Sequence, residues 1–208
     1  MMQVNDLNIE ADILPLFDFT NNTHAFDELT KLFREVPASL EAVRERQQIL
    51  QGFLDNWVVL ENFSYPRLYL SEVYALFQET AAGNLAPEPS GLKVYLRLRF
   101  SETKRNQKMS QFIQVVLLLN NIYQHYLGRL DKTMFPDKFK QELQRALLFL
   151  NKLNLPTYAA LIIEDKFSVS KVVAFNQNLN SLSANEVKAF WLFFFSFEAY
   201  YSVARTIR

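Results

Sequence analysis

The chain has no cysteine, and among its 208 residues only four are glycine and two are histidine. Its formal net charge is zero, with 22 Lys and Arg balancing 22 Asp and Glu. Each shortage excludes something. Without cysteine there is no disulfide, no thiolate nucleophile and no Cys-ligated metal, which fits a reducing cytoplasm, the expected location. The glycines, Gly52, Gly83, Gly91 and Gly128, are wrongly spaced for a G-x-x-x-x-G-K-[ST] loop or a G-x-G-x-x-G fingerprint. The histidines, His24 and His125, lie far apart and outside any H-E-x-x-H spacing. No G-x-S-x-G turn presents a serine, and the carboxylates are scattered as solvated helix faces usually are. No catalytic, cofactor-binding or metal-ligating residue is therefore assigned, and no enzymatic activity is expected of these residues. The balanced charge argues against a dedicated nucleic-acid binder and leaves room for a local basic patch. Near the N-terminus stand Asp6, Glu10 and Asp12, without a basic region leading into an apolar one, so no signal peptide is expected.

Aromatic residues are abundant. Of the twelve residues from Phe190 to Tyr201, eight are aromatic, and the stretch Asn185 to Arg205 is apolar around nearly its whole circumference. A helix of this kind must be surrounded by other helices, because each large ring removes roughly 150–250 Å² from water. Ser183 and Glu186 have the spacing of a capping box, which predicts a start near Ala184. Glu186, Lys188 and Glu198 interrupt the run well short of the ~20 apolar residues that a bilayer requires, so no membrane partner is expected.

The rest of the chain reads as helices around that one. Residues 1–22 read as an extended lead-in ending in a turn at Asn21 and Asn22. Thr23 caps a helix from His24 to Glu35, with Phe26, Leu29, Leu32 and Phe33 on one face. Pro37 ends it, and Ser39 caps a second helix over Leu40 to Asn56, the two forming a hairpin. Pro66 opens a third over Tyr65 to Thr80, burying Leu68, Val73, Leu76 and Phe77. The stretch 81–91, with two Gly and two Pro, is the expected linker. It divides a subdomain at 1–80 from a C-terminal bundle at 92–208.

Residues 92–100 fit either a strand or a helix. A single strand without a partner would leave its backbone groups unsatisfied, so helix is expected. A long helix from Glu102 to Arg129 carries Phe112, Val115, Val116, Leu119, Ile122, Tyr123, Tyr126 and Leu127 at alternating threes and fours, the pattern of a bundle seam. Pro136 opens a helix to Leu153 over Phe139, Leu143, Ala146, Leu147 and Leu150, and Pro156 opens another. The expected fold is all-α: a multi-helix bundle in two packed helical subdomains, with long helices and a central aromatic-rich C-terminal helix.

The densest charge lies between Lys93 and Lys108, where Lys93, Arg97, Arg99, Lys104, Arg105 and Lys108 face a single acid, Glu102. These six are the candidate contacts to DNA phosphates, the alternative being a basic helix end balanced by acidic neighbours. Phe26-Asp27-Glu28 has the Phe-x-Glu form that mismatch-reading proteins place beside a base. Phe26, however, falls on an apolar helix face, and core packing is expected of it.

Two end segments carry a resemblance. DLNI (Asp6 to Ile9) precedes LPLFDFTNNTHAFDELTKLF and VPASLEAVRERQQIL. Thr20, Asn21, Asn22, Thr23, Leu29, Pro37, Val43, Arg46 and Leu50 occupy the positions of a lead-in, an N-x-T-x-T-like element and two helices. At the other end, FEAYYSVAR (Phe197 to Arg205) sets Ser202, Val203 and Ala204 in the places of a D-x-x-x-S-[IL]-A segment. Together these resemble the core, or lever, domain of MutS-family DNA mismatch repair proteins. The departures are His24 and Ala25 where the family has a Gly, and the lack of a preceding mismatch reader, a strand-rich clamp and a following Walker loop.

The resemblance implies a non-catalytic helical core of a longer MutS-related mismatch repair or recombination ATPase, excised or truncated close to where the ATPase domain would begin. It would relay conformational change between that domain and DNA or a partner, through the 102–129 helix and the aromatic helix. ATP and Mg would belong to the missing domain, with none bound by this fragment. The implied partners are that domain, duplex DNA held weakly, and a second copy of the chain through the missing domain. The competing reading is a free-standing helical scaffold that binds a protein and never touches DNA. A third, an all-α enzyme with a buried small-molecule pocket, has no motif behind it.

Overall fold

The structure, a computed structural model, describes residues 8–81 and 91–208. Every regular element among them is helical. In chain order these are α1 (Leu14–Phe17), α2 (Thr23–Arg34), α3 (Leu40–Asp55), α4 (Trp57–Leu60), α5 (Arg67–Ala81), α6 (Gly91–Phe100), α7 (Glu102–Asn121), α8 (Asp137–Lys152), α9 (Leu155–Ile163), α10 (Val169–Asn180) and α11 (Ala184–Ile207). The fold is an all-α multi-helix bundle. No single described helix is long and apolar enough to cross a membrane.

Local chemistry sets the helix ends. Asn22, one residue ahead of the expected Thr23, caps α2 by accepting from the Ala25 N–H at 2.9 Å. Asn can satisfy a first-turn donor as well as Thr can, so the choice between adjacent cap residues falls to the surrounding packing. Ser39 caps α3 by accepting from Ala42 N–H at 3.1 Å. The Arg46 guanidinium on α3 reaches back to the open carbonyls of Leu32 and Glu35 at 3.0 and 2.7 Å, closing the C-terminus of α2. The lead-in is not extended over its described length: a π-helical turn at Ile9–Ile13 runs into α1, where Pro15 stands in the first turn, a position that tolerates proline.

The segment 92–100 is helical, within α6. The long helix expected to reach Arg129 is regular only to Asn121. It then loosens into a π-turn at Ile122–Tyr126 and tightens into a 3-10 turn at Leu127–Arg129. A Cβ at Gly128 would stand 2.7 Å from the Tyr123 carbonyl oxygen, so that change of pitch requires glycine.

The described chain gathers into two compact units, each drawn from separated segments. The first comprises Met1–Ser64, Arg129–Gln144 and Leu192–Arg208, and the second comprises Tyr65–Gly128 and Arg145–Trp191. Helices α8 and α11 each contribute residues to both units. Residues 82–90, most of the expected linker, lie outside the described residues.

In the first unit, Phe53 of α3 sits among the rings of Phe135, Phe139 and Phe197 at centroid distances of 5.6, 5.7 and 5.0 Å. Phe63 meets Phe197 and Tyr201 at 5.5 and 5.0 Å. Gly52 belongs to this packing, since a Cβ there would come within 2.5 Å of the Phe135 ring. In the second unit, Trp191 lies edge-on to Tyr74 and Phe77 at 5.1 and 5.9 Å, and Phe149 stacks on Phe190 at 4.5 Å. From Phe190 to Ala204 all residues are buried save Leu192, Ser196 and Tyr200. The aromatic helix is enclosed as its composition demanded.

The capping box at its start forms as the spacing predicts. Glu186 N–H donates to Ser183 Oγ at 3.2 Å, and the Glu186 carboxylate accepts from Ser183 N–H at 3.0 Å. The same carboxylate takes an ion pair from Lys152 of α8. The Lys152 ammonium and the two Ser183 donors hold the Glu186 carboxyl at a pKa of about 2, down from 4.5. A depressed carboxyl contributes stability above its unfolded pKa and loses it as pH falls through the folded one. Both side chains are partly exposed, so solvent screening keeps the contribution small. Glu186→Gln will therefore lower the urea midpoint of the wild-type protein at neutral pH, and the difference will shrink between about pH 4.5 and pH 2. A gap that stays constant over that range would show that the pair contributes nothing through its charge.

Some side chains depart from the expected faces. Phe26 is 38% exposed, so it is not a core residue. Leu68 is exposed as well, and Leu70 fills the place on α5 expected of it.

Candidate nucleic-acid interface

His24 lies exposed in the first turn of α2, its ring against that of Phe195 at 4.9 Å, and His125 is exposed on the π-turn after α7. Among the described residues no group of three or more His, Asp or Glu could hold a metal. Burial pushes the Tyr158 and Tyr200 hydroxyls up from their ordinary value, so both stay protonated at neutral pH.

The basic stretch lies on α6 and the first half of α7, both in the second unit. Helix α6 packs against α7 and α10, with Leu98 buried. The side chains of Lys93 and Arg97 lie outside the described residues. Arg99 and Lys104 are exposed to solvent. Arg105 is half-buried and faces Glu102 at 3.8 Å, one turn back on the same helix. Lys108 lies over the buried Phe112 ring, 4.8 Å from its centroid.

Lys104 and Arg105 occupy the first turns of α7, where the aligned peptide dipoles present their positive end. Cations there weaken the helix by a few tenths of a kcal/mol to about 1 kcal/mol each, and Glu102 offsets only part of this. Their placement is costly for the helix.

Beside these cations lies a feature that no motif marks. Between α5 and α7 there is an open cleft of about 330 Å³, lined by Glu72, Gln107, Ser110, Gln111 and Gln114. Gln114 Nε2 donates to Glu72 Oε2 at 2.5 Å across it. The glutamines at 107, 111 and 114 recur at i, i+4 and i+7, a polar stripe that was legible in the sequence. Lys104 falls on the same face, three residues before Gln107.

A second polar feature lies in the first unit. Glu198, fully buried in the middle of the aromatic run, accepts from the Asn21 N–H at 2.5 Å and from Asn22 Nδ2 at 2.8 Å. One turn on, Ser202 Oγ accepts from Phe19 N–H at 2.6 Å and donates to the Phe17 carbonyl at 2.5 Å. A further turn on, Thr206 Oγ1 donates to the Leu16 carbonyl at 3.2 Å. Glu198, Ser202 and Thr206 thus form an i, i+4, i+8 stripe on α11, and the backbone of residues 16–22 runs along it. Arg205 closes the edge, its guanidinium 4.5 Å from the Phe19 ring centroid. From the sequence, Glu198 stood out only as a charge interrupting an apolar run. The signal available was that a carboxyl amid eight rings must meet donors once it is buried.

No family model, curated protein or solved structure matches the chain.

Proposed function

We propose that this chain is a non-catalytic helical core, or lever, module of a MutS-like mismatch repair or recombination ATPase. It would relay conformational change between an ATPase domain and DNA or a partner. The reading is supported by one juxtaposition above all. The two segments that carry the resemblance are nearly the length of the chain apart, yet Glu198 and Ser202 bind Asn21, Asn22 and Phe19 directly. Asn21, Asn22 and Ser202, three of the residues that carry the resemblance, thus take part in fastening the N-terminal lead-in to the closing helix. Long packed helices such as α7 and α11 move as rigid bodies, which suits them to relaying a shift. The phosphate contacts would come from the basic stretch on α6 and α7. ATP, Mg and any dimer contact would belong to the ATPase domain.

The test is binding of duplex DNA as a function of salt. The protein will bind weakly, with affinity falling as salt rises. The double variant Arg99→Glu, Lys104→Glu, altered only at exposed positions, will bind less tightly. Its salt slope will be shallower by about 0.9 for each phosphate that it no longer neutralises. Salt-insensitive binding, or none at low salt, would remove DNA and leave a protein-binding scaffold. An open reading frame continuing past Arg208 into a G-x-x-x-x-G-K-[ST] loop would be independent support for the ATPase.

A further inference from the structure

The corner between α6 and α7 combines charge with an apolar surface on the wrong side of the helix. Helix α6 is anchored through Leu98, which is buried. Leu96 and Phe100, each two residues from Leu98 and about 160° away around the helix, point to the opposite face. Phe100 is 83% exposed and Leu96 is 41% exposed. Phe100 is the last residue of α6, and Ser101, with extended backbone at φ −123° and ψ 100°, separates it from α7. An exposed ring thus stands at a chain corner between two exposed cations, Arg99 and Lys104.

We propose that Phe100 is a stacking platform for an unpaired nucleotide base, so that the DNA engaged by the basic stretch is DNA with single-stranded character. This rests on the nucleic-acid reading of that stretch given above. Surfaces that hold single strands pair cations tracking the phosphates with an aromatic face on which a base can lie, and stacking tolerates any base sequence. A blunt duplex keeps its bases stacked on one another and can offer the ring only its ends and groove walls. A duplex with a gap offers both an unstacked base and the flanking phosphates. The Lys104 and Arg105 charges on the positive end of α7 are complementary to that polyanion. An amphipathic membrane helix needs a broad apolar face, whereas the described apolar surface on α6 opposite Leu98 consists of Leu96 and Phe100.

The experiment measures fluorescence anisotropy at fixed low salt with three labelled DNAs: a blunt duplex, the same duplex with an internal single-stranded gap, and the single strand. The gapped duplex is expected to bind about fivefold or more tighter than the blunt one, the effect of roughly one stacked base. Phe100→Ala should abolish that preference without changing affinity for the blunt duplex, and Phe100→Trp should retain it. Arg99→Glu with Lys104→Glu should weaken binding to all three. Equal affinity for gapped and blunt duplex, or a preference that survives Phe100→Ala, overturns the stacking role and leaves the basic stretch as a phosphate contact. No binding to any of the DNAs overturns both readings. Binding to phosphatidylserine vesicles that is lost in Phe100→Ala, with no preference among DNAs, assigns the corner to a membrane and overturns the inference.

Discussion

Trp191→Ala will destabilise the protein by about 3–5 kcal/mol, the range for truncating a large aromatic in a packed core. The indole is almost wholly buried, and the rings of Tyr74, Phe77 and Phe190 meet it edge-on at 5.1, 5.9 and 5.2 Å. Truncation removes the buried apolar area and also leaves a void that these neighbours, held by their own contacts, cannot close. Phe77 packs in turn on Phe149, and Phe149 on Phe190, so a shift of one ring disturbs the next. Chemical denaturation read by circular dichroism measures the effect. Trp191→Phe, which keeps most of the volume, should cost well under half as much. A loss below about 0.5 kcal/mol for the alanine variant, the size of an ordinary surface substitution, would mean that the ring packs against nothing rigid.

The second large effect is expected at Glu198. Removing its carboxyl takes the acceptor from the part-buried Asn21 N–H and from the buried Asn22 Nδ2 group. A hydrogen bond contributes about 0.5–1.5 kcal/mol net, and a buried donor left without its acceptor costs a further ~1–3 kcal/mol of desolvation. Glu198→Ala should therefore cost about 3 kcal/mol or more. Glu198→Gln keeps one acceptor oxygen and should recover part of the loss. The effect is also regional. Asn22 caps α2 with its other side-chain atom, so its displacement frees the first turn of α2 and lets the lead-in peel from α11. Hydrogen exchange should show the amides of Phe19, Asn21 and Ala25 losing protection ahead of those around Phe53. Uniform loss across the first unit would refute a local clasp. So would a Glu198→Ala variant as stable as the wild type.

These two residues, seven positions apart on one helix, differ in how far the sequence revealed them. Trp191 was legible, because a run of rings on all sides of a helix has one soluble solution, enclosure by other helices. The same holds for the alternating threes and fours of α7 and for the Ser183–Glu186 box, whose partners are within one turn. Glu198 was legible only as an anomaly. A carboxyl amid phenylalanines must be satisfied, but its donors lie at Asn21 and Asn22, and nothing local points that far. Phe26 and Leu68 show the converse failure. Helical periodicity places a side chain on a face, and only the neighbouring helices decide whether that face is covered. In α6, Leu98 turns inward where Leu96 and Phe100 had equal claim by composition.

Helicity, the enclosed aromatic rod and the basic stretch were therefore written into the chain, because periodicity, capping and charge density act over a few residues. Tertiary structure alone decided the two interleaved units, the fastening of residues 16–22 along Glu198, Ser202 and Thr206, and the exposure of Phe100. Each of these depends on which distant helix comes to lie alongside. That choice is made by the sum of many weak apolar contacts, and no single residue encodes it.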